Sequence, residues 1–143
     1  MFRWFDRGLL LSTFDSAESA TSLFGSVFSA LAEDKVFSDA LRRSGTTLGF
    51  VHTNPECRFF ISGDGVVTGG EAPEYATLTF TMSSDTAHAL WSGQLSFPAG
   101  ITGGKIRILG KVSKVLEVMP VLAPVFSLYP KAAAEAGIQV PGN

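Results

Sequence analysis

Hydrophobic side chains recur at helical spacing in the first third of the chain. Within residues 15–33 they fall three and four positions apart, at Ala20, Leu23, Phe24, Val27, Phe28 and Leu31. This repeat predicts an amphipathic helix with one apolar face. Asp15, followed three positions later by Glu18, is typical of a helix start. A second helix is predicted over 35–43, and Gly45 is expected to end it.

The pattern then changes to that of strands. Segments rich in β-branched and aromatic residues, separated by Gly, Pro and Asn turns, predict strands over 46–53, 56–62, 66–68, 75–82 and 104–110. In the clearest of them, threonines alternate with Leu78, Phe80 and Met82, the period of a strand with one buried face. Because the first strands are joined by short turns, we expect antiparallel pairing.

The C-terminal half is predicted to be largely helical. We expect a helix over 86–92, an irregular segment over 94–103, and a long helical segment from Val112 onwards. Within residues 118–129 the apolar side chains surround the helix on all sides, so that this segment needs two apolar neighbours. One can be the sheet, and the other can be protein, ligand or membrane. Pro120 and Pro124 each remove a backbone donor, so we expect the helix to kink or break there.

Strands in one run and helices segregated to one face predict an α+β fold with a largely antiparallel five-stranded sheet. At 143 residues, the chain has the length of a single domain. We expect one domain over 1–143, in which 1–14 is an N-terminal extension and 137–143 a loose tail.

Composition narrows the function classes. Eleven basic against thirteen acidic residues give a net charge of −2, which excludes nucleic-acid binding through bulk charge. Twelve of the sixteen aromatic residues are Phe, which indicates either a large apolar core or a core with an apolar cavity. No run of apolar residues is long enough to span a bilayer, and no signal peptide is recognisable, so a cytoplasmic location is expected.

A local basic cluster stands out against this balance. Lys105, Arg107, Lys111 and Lys114 lie within ten residues of one another. The cluster is either a solvated edge or a surface attracted to anionic lipid headgroups, so that peripheral membrane contact stays open.

The residues that usually carry chemistry are few. Cys57 is the only cysteine, which excludes an intrachain disulfide, and the only histidines are His52 and His88. Cys57 and His52 lie across a predicted turn and could form a nucleophile–base pair, but no third orienting group is identifiable. We therefore expect structural roles for this thiol and imidazole. We also expect His88 to be solvent-facing or surrounded by polar groups, and neither a catalytic site nor a bound metal or cofactor.

Residues 75–128 resemble the sterol carrier protein 2 family. The similarity runs through the alternating strand 75–82, a Ser-Ser-Asp helix start, Leu90-Trp91-Ser92-Gly93-Gln94-Leu95, the strand 104–110 and the apolar helix after it. It implies a curved, largely antiparallel sheet covered by helices, with an apolar tunnel between them. It also implies binding of fatty acid, acyl-CoA, sterol or another lipid, without catalytic residues.

From these observations we predict a non-catalytic lipid-binding or lipid-transfer domain with a cavity between the sheet and the C-terminal helices. The expected ligand-lining residues are Phe80, Met82, Trp91, Phe97, Ile106, Ile108, Leu116, Met119, Leu122 and Phe126. Two alternatives stay open: an accessory protein that presents lipid or isoprenoid-quinone intermediates to partner enzymes, and an enzyme similar to an acyl-CoA thioesterase. The sequence specifies neither the lipid nor the oligomeric state.

Overall fold

The computed structural model describes residues 13–138, so that most of the predicted extension 1–14 and of the predicted tail 137–143 lies outside the described residues. The helices are α1 Ala17–Ala32, α2 Lys35–Ser44, α3 Ser84–Trp91, α4 Phe97–Thr102, α5 Val112–Val118 and α6 Val125–Glu135. The strands are β1 Leu48–Thr53, β2 Cys57–Ser62, β3 Gly65–Thr68, β4 Leu78–Ser83 and β5 Arg107–Leu109. Single 3₁₀ turns span Gly69–Glu71 and Pro120–Leu122.

The five strands form one mixed sheet in the order β3-β2-β1-β4-β5. Three of the four pairings are antiparallel, which confirms a largely antiparallel α+β fold. The pairing of β1 with β4 is parallel, with Phe50 opposite Phe80. The prediction of antiparallel pairing was made for strands joined by short turns, and β1 and β4 are not joined in this way. The intervening segment carries the chain across the sheet to the free edge of β1.

The helix starts are set by serine and aspartate side chains. Ser16, and not Asp15 as predicted, caps α1, since its hydroxyl accepts the Ser19 N–H at 3.0 Å. Asp34 caps α2 in the same way, and Gly45 ends that helix in the left-handed conformation, with φ 64°. Ser83 caps α3 and accepts the Thr86 N–H at 3.0 Å. Each cap satisfies a donor that the first helical turn leaves free.

Helix α4 lies in the segment that we predicted to be irregular. Ser96 caps it by accepting the Ala99 N–H at 3.2 Å, and Pro98 occupies its first turn, where a missing N–H costs nothing. A Cβ at Gly100 would collide with the buried side chain of Ile106, so the helix needs glycine there to approach the chain before β5. The helix start at Ser96-Phe97-Pro98 could therefore have been predicted from the sequence. The need for glycine at position 100 could not, because it depends on the contact with Ile106.

One face of the sheet carries the core; α1 packs on β2 and β3, and α6 packs against α1. Side chains that alternate along the strands point into this layer: Leu48, Phe50, Phe59, Ile61, Leu78, Phe80 and Met82. Phe24 and Phe28 of α1 contact the rings of Phe59 and Phe50, and Tyr129 of α6 stacks on Phe24. All five rings are buried. Phe14, at the end of the predicted extension, is also buried, and its ring centre lies 5.3 Å from that of Phe24. Phe14 therefore belongs to the core.

Candidate ligand site

The ten residues predicted to line a ligand cavity fall into three groups by exposure. Buried in the core are Phe80, Met82, Trp91, Phe97, Ile106 and Leu122. Ile108 and Met119 are partly buried and pack against the core. Leu116 and Phe126 are 69% and 41% exposed, respectively. The predicted set therefore extends from the sheet to the surface of the C-terminal helices.

Aromatic contacts join four of these residues into one line. The Phe97 ring centre lies 5.9 Å from that of Phe80 and 5.8 Å from that of Trp91. Trp91 in turn lies 5.3 Å from Phe126, with the rings in an edge-to-face arrangement. We name Phe80, Phe97, Trp91 and Phe126 the aromatic line. It connects β4, through α4 and α3, to an exposed ring on α6.

The C-terminal helical segment is broken, as expected from its prolines. Helix α5 ends at Val118, a 3₁₀ turn follows at Pro120–Leu122, and α6 begins at Val125 after Pro124. The two halves, Val112–Leu122 and Val125–Glu135, are bent by 56°. No single helix within residues 13–138 is both long and apolar enough to cross a bilayer, although this bent pair meets the length and composition requirements when its halves are combined.

Helix α5 is the least anchored wall of the predicted site. Val118 is the only one of its seven residues that is buried, and no side chain caps its start. Its polar attachment is Lys114, whose Nζ donates to the Ser44 carbonyl oxygen at 2.7 Å and lies 3.6 Å from Glu117 Oε1. Ser44 ends α2, where the last carbonyl groups have no partner within the helix. Lys114 therefore ties α5 to α2 by a single backbone contact.

Four clefts in the described part of the chain have volumes of about 150 to 330 Å³. Three of them have volumes near the lower limit for small-molecule pockets and differ in position. One, of about 290 Å³, lies between α2 and α5 and is lined by Ser44, Thr46, Val118 and Val121, among others. A second, of about 330 Å³, lies beside His52, Cys57 and Arg58, and a third, of about 300 Å³, lies beside Arg42 and Asp64. None of the four is lined by any of the ten predicted residues, so the predicted cavity stays a prediction.

The predicted Cys57–His52 proximity is present in the structure. Cys57 Sγ lies 3.6 Å from His52 Nδ1 and 3.9 Å from the hydroxyl oxygen of Ser84, which donates to the Pro55 carbonyl. Both side chains are buried. Burial lowers the pKa of His52 to about 3 and raises the pKa of the Cys57 thiol. The pair is therefore a neutral imidazole beside a neutral thiol, whereas a nucleophilic cysteine needs a lowered pKa.

His88 is the residue that sequence reasoning misplaced. It is buried rather than solvent-facing, and its Nδ1 lies 2.7 Å from the Tyr129 hydroxyl oxygen. The helical pattern of α3 contained a weak signal, because His88 follows the buried Ala87 and precedes Leu90 and Trp91, which are both buried. The packing of α6 against α3 supplies the phenolic partner of its Nδ1.

Comparison with known proteins identifies the fold. The chain is similar to the sterol carrier protein domain 2 of Helicoverpa armigera, with 20% identity over 76% of this chain and 89% of that one, and a TM-score of 0.60. It is also similar to the apo form of sterol carrier protein 2 from Yarrowia lipolytica, with 16% identity over 85% and 96% of the two chains, and a TM-score of 0.56.

The comparisons with family models and with curated proteins give no significant match. The structural likeness nevertheless covers 76% and 85% of this chain, and it is to the family that residues 75–128 resemble. The chain therefore has the fold of sterol carrier protein 2.

Proposed function

We propose that this chain binds one hydrophobic ligand, such as a fatty acid, an acyl-CoA, a sterol or another lipid, between the sheet and the C-terminal helices. The observation that carries the proposal is the aromatic line, which leads from the core at Phe80 to the exposed ring of Phe126. It ends where prolines break the helical segment and where Leu116 is exposed. The fold of sterol carrier protein 2 is consistent with this role.

A ligand would enter by displacing α5. The movement gives up the contacts of one buried side chain, Val118, and of the partly buried Val115 and Met119. Complete exposure of one such side chain costs about 1.5–3 kcal/mol. Gly110 and Pro120 bound the displaced segment, so that the completely buried Leu122 keeps its place in the core. The wall can therefore open while α1, α6 and the sheet keep the core intact.

The free energy gained by burying an alkyl chain exceeds the cost of displacing α5. Burial of about 15 methylene groups yields about 12 kcal/mol at ~0.8 kcal/mol each. Association costs at least about 4 kcal/mol, and opening α5 takes part of the remainder. About 5–6.5 kcal/mol is left, which corresponds to a dissociation constant between about 20 µM and a few hundred micromolar. Because apolar surface discriminates mainly by volume, loose chain-length specificity is expected.

The test compares two tryptophan substitutions in the full chain. Met119→Trp enlarges a partly buried side chain next to the 3₁₀ turn, whereas Val67→Trp adds the same side chain at a site 42% exposed on β3. Affinity for cis-parinaric acid is measured by fluorescence titration, and folding by urea denaturation. We expect Met119→Trp to weaken binding at least tenfold and Val67→Trp to leave it within twofold. Equal affinity in both variants, or no binding by the unsubstituted chain, would overturn the proposal.

The proposal includes no catalytic step. The buried, neutral Cys57 and His52 do not provide the activated thiolate that hydrolysis of a thioester requires. Palmitoyl-CoA is the substrate for the test, with free thiol followed by a colorimetric reagent. We expect no turnover above the uncatalysed rate. Turnover that disappears in Cys57→Ala while binding persists would contradict this part of the proposal and favour the thioesterase.

A further inference from the structure

Charge is distributed unevenly along the chain. Between Asp85 and Glu135 there are five basic residues and one acidic residue, Glu117, although the whole chain has a net charge of −2. That acidic residue is itself paired, since Glu117 Oε1 lies 3.6 Å from Lys114 Nζ. The C-terminal third is therefore a cationic region on an otherwise acidic protein.

Three of these basic side chains are exposed and available. Lys105 and Lys111 flank β5, Arg107 lies on it, and all three are exposed to solvent. Within residues 13–138, none of the three has an acidic oxygen within 4.0 Å. Their charges are consequently not neutralised by the described part of the fold.

Large aliphatic side chains project beside these charges. Leu109 is 69% exposed, Val112 is 74% exposed and Leu116 is 69% exposed. Arg107 and Leu109 lie on the same face of β5, because side chains two apart along a strand share a face. Val112 and Leu116 are four apart on α5 and share a face as well. Only three positions separate Leu109 from Val112, so their Cα atoms lie within about 11 Å.

We infer that this surface docks on an anionic lipid bilayer. We name it the β5–α5 patch and define it as Lys105, Arg107, Leu109, Lys111, Val112 and Leu116. Aliphatic side chains enter the boundary between headgroups and acyl chains, while Lys and Arg extend their charged ends to anionic headgroups. The patch shows both parts of this pattern within twelve residues.

A membrane fits the patch better than a protein partner does. Protein interfaces centre on pockets filled by anchoring side chains. None of the four clefts described above is lined by a patch residue. A fluid, negatively charged surface can accommodate the exposed aliphatic groups and the long cationic side chains of the patch without a shaped pocket. The overall charge of −2 opposes docking weakly, because charges beyond about 8 Å are screened at physiological ionic strength.

The inference stands apart from the proposed function, because vesicle affinity is measured without any transferred ligand. The full chain is mixed with vesicles of pure phosphatidylcholine, or with vesicles in which phosphatidylserine replaces part of it, and binding is measured by co-sedimentation. We expect binding to the anionic vesicles that decreases with salt, and little binding to the neutral ones. Absence of binding to the anionic vesicles would overturn the inference and leave an acidic protein as the better partner.

Matched charge variants locate the contact. Each exposed basic residue near an anionic surface contributes about 1 kcal/mol, a factor of about five in affinity. The variant Lys105→Gln/Arg107→Gln/Lys111→Gln should therefore bind about a hundredfold more weakly. The control variant Lys35→Gln/Arg43→Gln/Lys131→Gln removes three exposed charges elsewhere and reaches the same net charge. Equal losses in the two variants would show that overall charge, and not the patch, attracts the protein.

A second pair of variants tests the aliphatic part. Leu109→Ser/Val112→Ser should weaken binding to anionic vesicles about tenfold, because both side chains are expected to leave water on docking. Val36→Ser/Val67→Ser, at two exposed sites outside the patch, should have less than a twofold effect. If the first pair binds as tightly as the unsubstituted chain, the aliphatic groups do not enter the bilayer and the inference fails.

Discussion

His88 Nδ1 and the Tyr129 hydroxyl oxygen lie 2.7 Å apart, and this hydrogen bond joins α3 to α6 across 41 positions of sequence. Both side chains are buried, and Tyr129 also stacks on Phe24 of α1 with ring centres 5.4 Å apart. Burial raises the pKa of Tyr129 well above its usual range, and nearby Asp85 adds to the effect. The phenol therefore stays neutral at physiological pH.

Removal of this hydroxyl should destabilise the fold. In Tyr129→Phe, His88 Nδ1 loses its phenolic partner inside the core, which costs about 1–3 kcal/mol. The free energy of unfolding is measured by urea denaturation. Tyr75→Phe is the control, because Tyr75 is 85% exposed and a surface change of this kind stays within about 0.5 kcal/mol. Equal stability of the two variants would mean that the hydrogen bond contributes nothing.

Acid should destabilise the protein through His52. Its pKa is 6.5 when unfolded and about 3 in the fold, so only the unfolded chain gains a proton between these values. The stabilising effect is complete above pH 6.5 and is lost as the pH falls towards 3. At pH 5, about 2 kcal/mol of the free energy of unfolding should be gone relative to pH 7.

The variant His52→Leu isolates this contribution. Its free energy of unfolding should change much less between pH 7 and pH 5, because the group that titrates is absent. Ordinary carboxyl groups begin to titrate below about pH 5, so the comparison stays above that value. A pH dependence as steep as that of the unsubstituted chain would assign the acid sensitivity to another residue.

Gly110 should be far less replaceable than Gly65. Both have strongly positive φ, 136° and 130° respectively, so alanine pays a similar backbone strain at either position. A Cβ at Gly110 would lie 2.6 Å from the Thr77 carbonyl oxygen and 2.5 Å from Leu78 Cδ2, whereas one at Gly65 meets nothing within 4 Å. Thermal or urea unfolding should show Gly110→Ala less stable than Gly65→Ala by about 1–3 kcal/mol. Similar stabilities would mean that β4 yields to the added methyl group.

Lys114 should hold α5 closed. In Lys114→Met, the Ser44 carbonyl oxygen loses its ammonium donor, and the pair with Glu117 is also lost. Since the Lys114 side chain is 26% exposed, we expect a loss of about 1 kcal/mol, which raises the opening of α5 about fivefold. Amide hydrogen exchange over 112–118 measures this opening directly.

The matched control for Lys114 is Lys131→Met, which removes an exposed lysine on α6. Its exchange rates over 112–118 should equal those of the unsubstituted chain. Unchanged exchange in Lys114→Met would show that apolar contacts alone hold α5 in place.

Several features could be predicted from the sequence because they depend on local chemistry. The helical repeat over 20–31 and the alternation over 77–82 each identify a buried face without reference to the rest of the fold. The breaks near Pro120 and Pro124 follow from the missing backbone donors. The sequence did not predict that Ser16 rather than Asp15 caps α1, because the two residues are adjacent and both are good caps.

The candidate site shows the same division. The sequence shows that the segment 112–128 is apolar. It does not show which of its side chains are exposed: Leu116 is exposed, whereas Leu122 is completely buried. Side chains of the same kind differ in this way because helix rotation relative to the neighbouring elements decides which ones meet the core. The aromatic line joins residues from four elements, and no spacing along the chain specifies such contacts.

The sequence by itself determined the α+β class, the two N-terminal helices, the strand faces and the broken C-terminal helix, because each depends on neighbours within a few positions. Only the tertiary structure decided the parallel pairing of β1 with β4, the burial of His88 against Tyr129 and the exposure of the β5–α5 patch. These features arise from contacts between segments distant along the chain. Such contacts are selected by the packing of the whole core, which leaves no local pattern in the sequence.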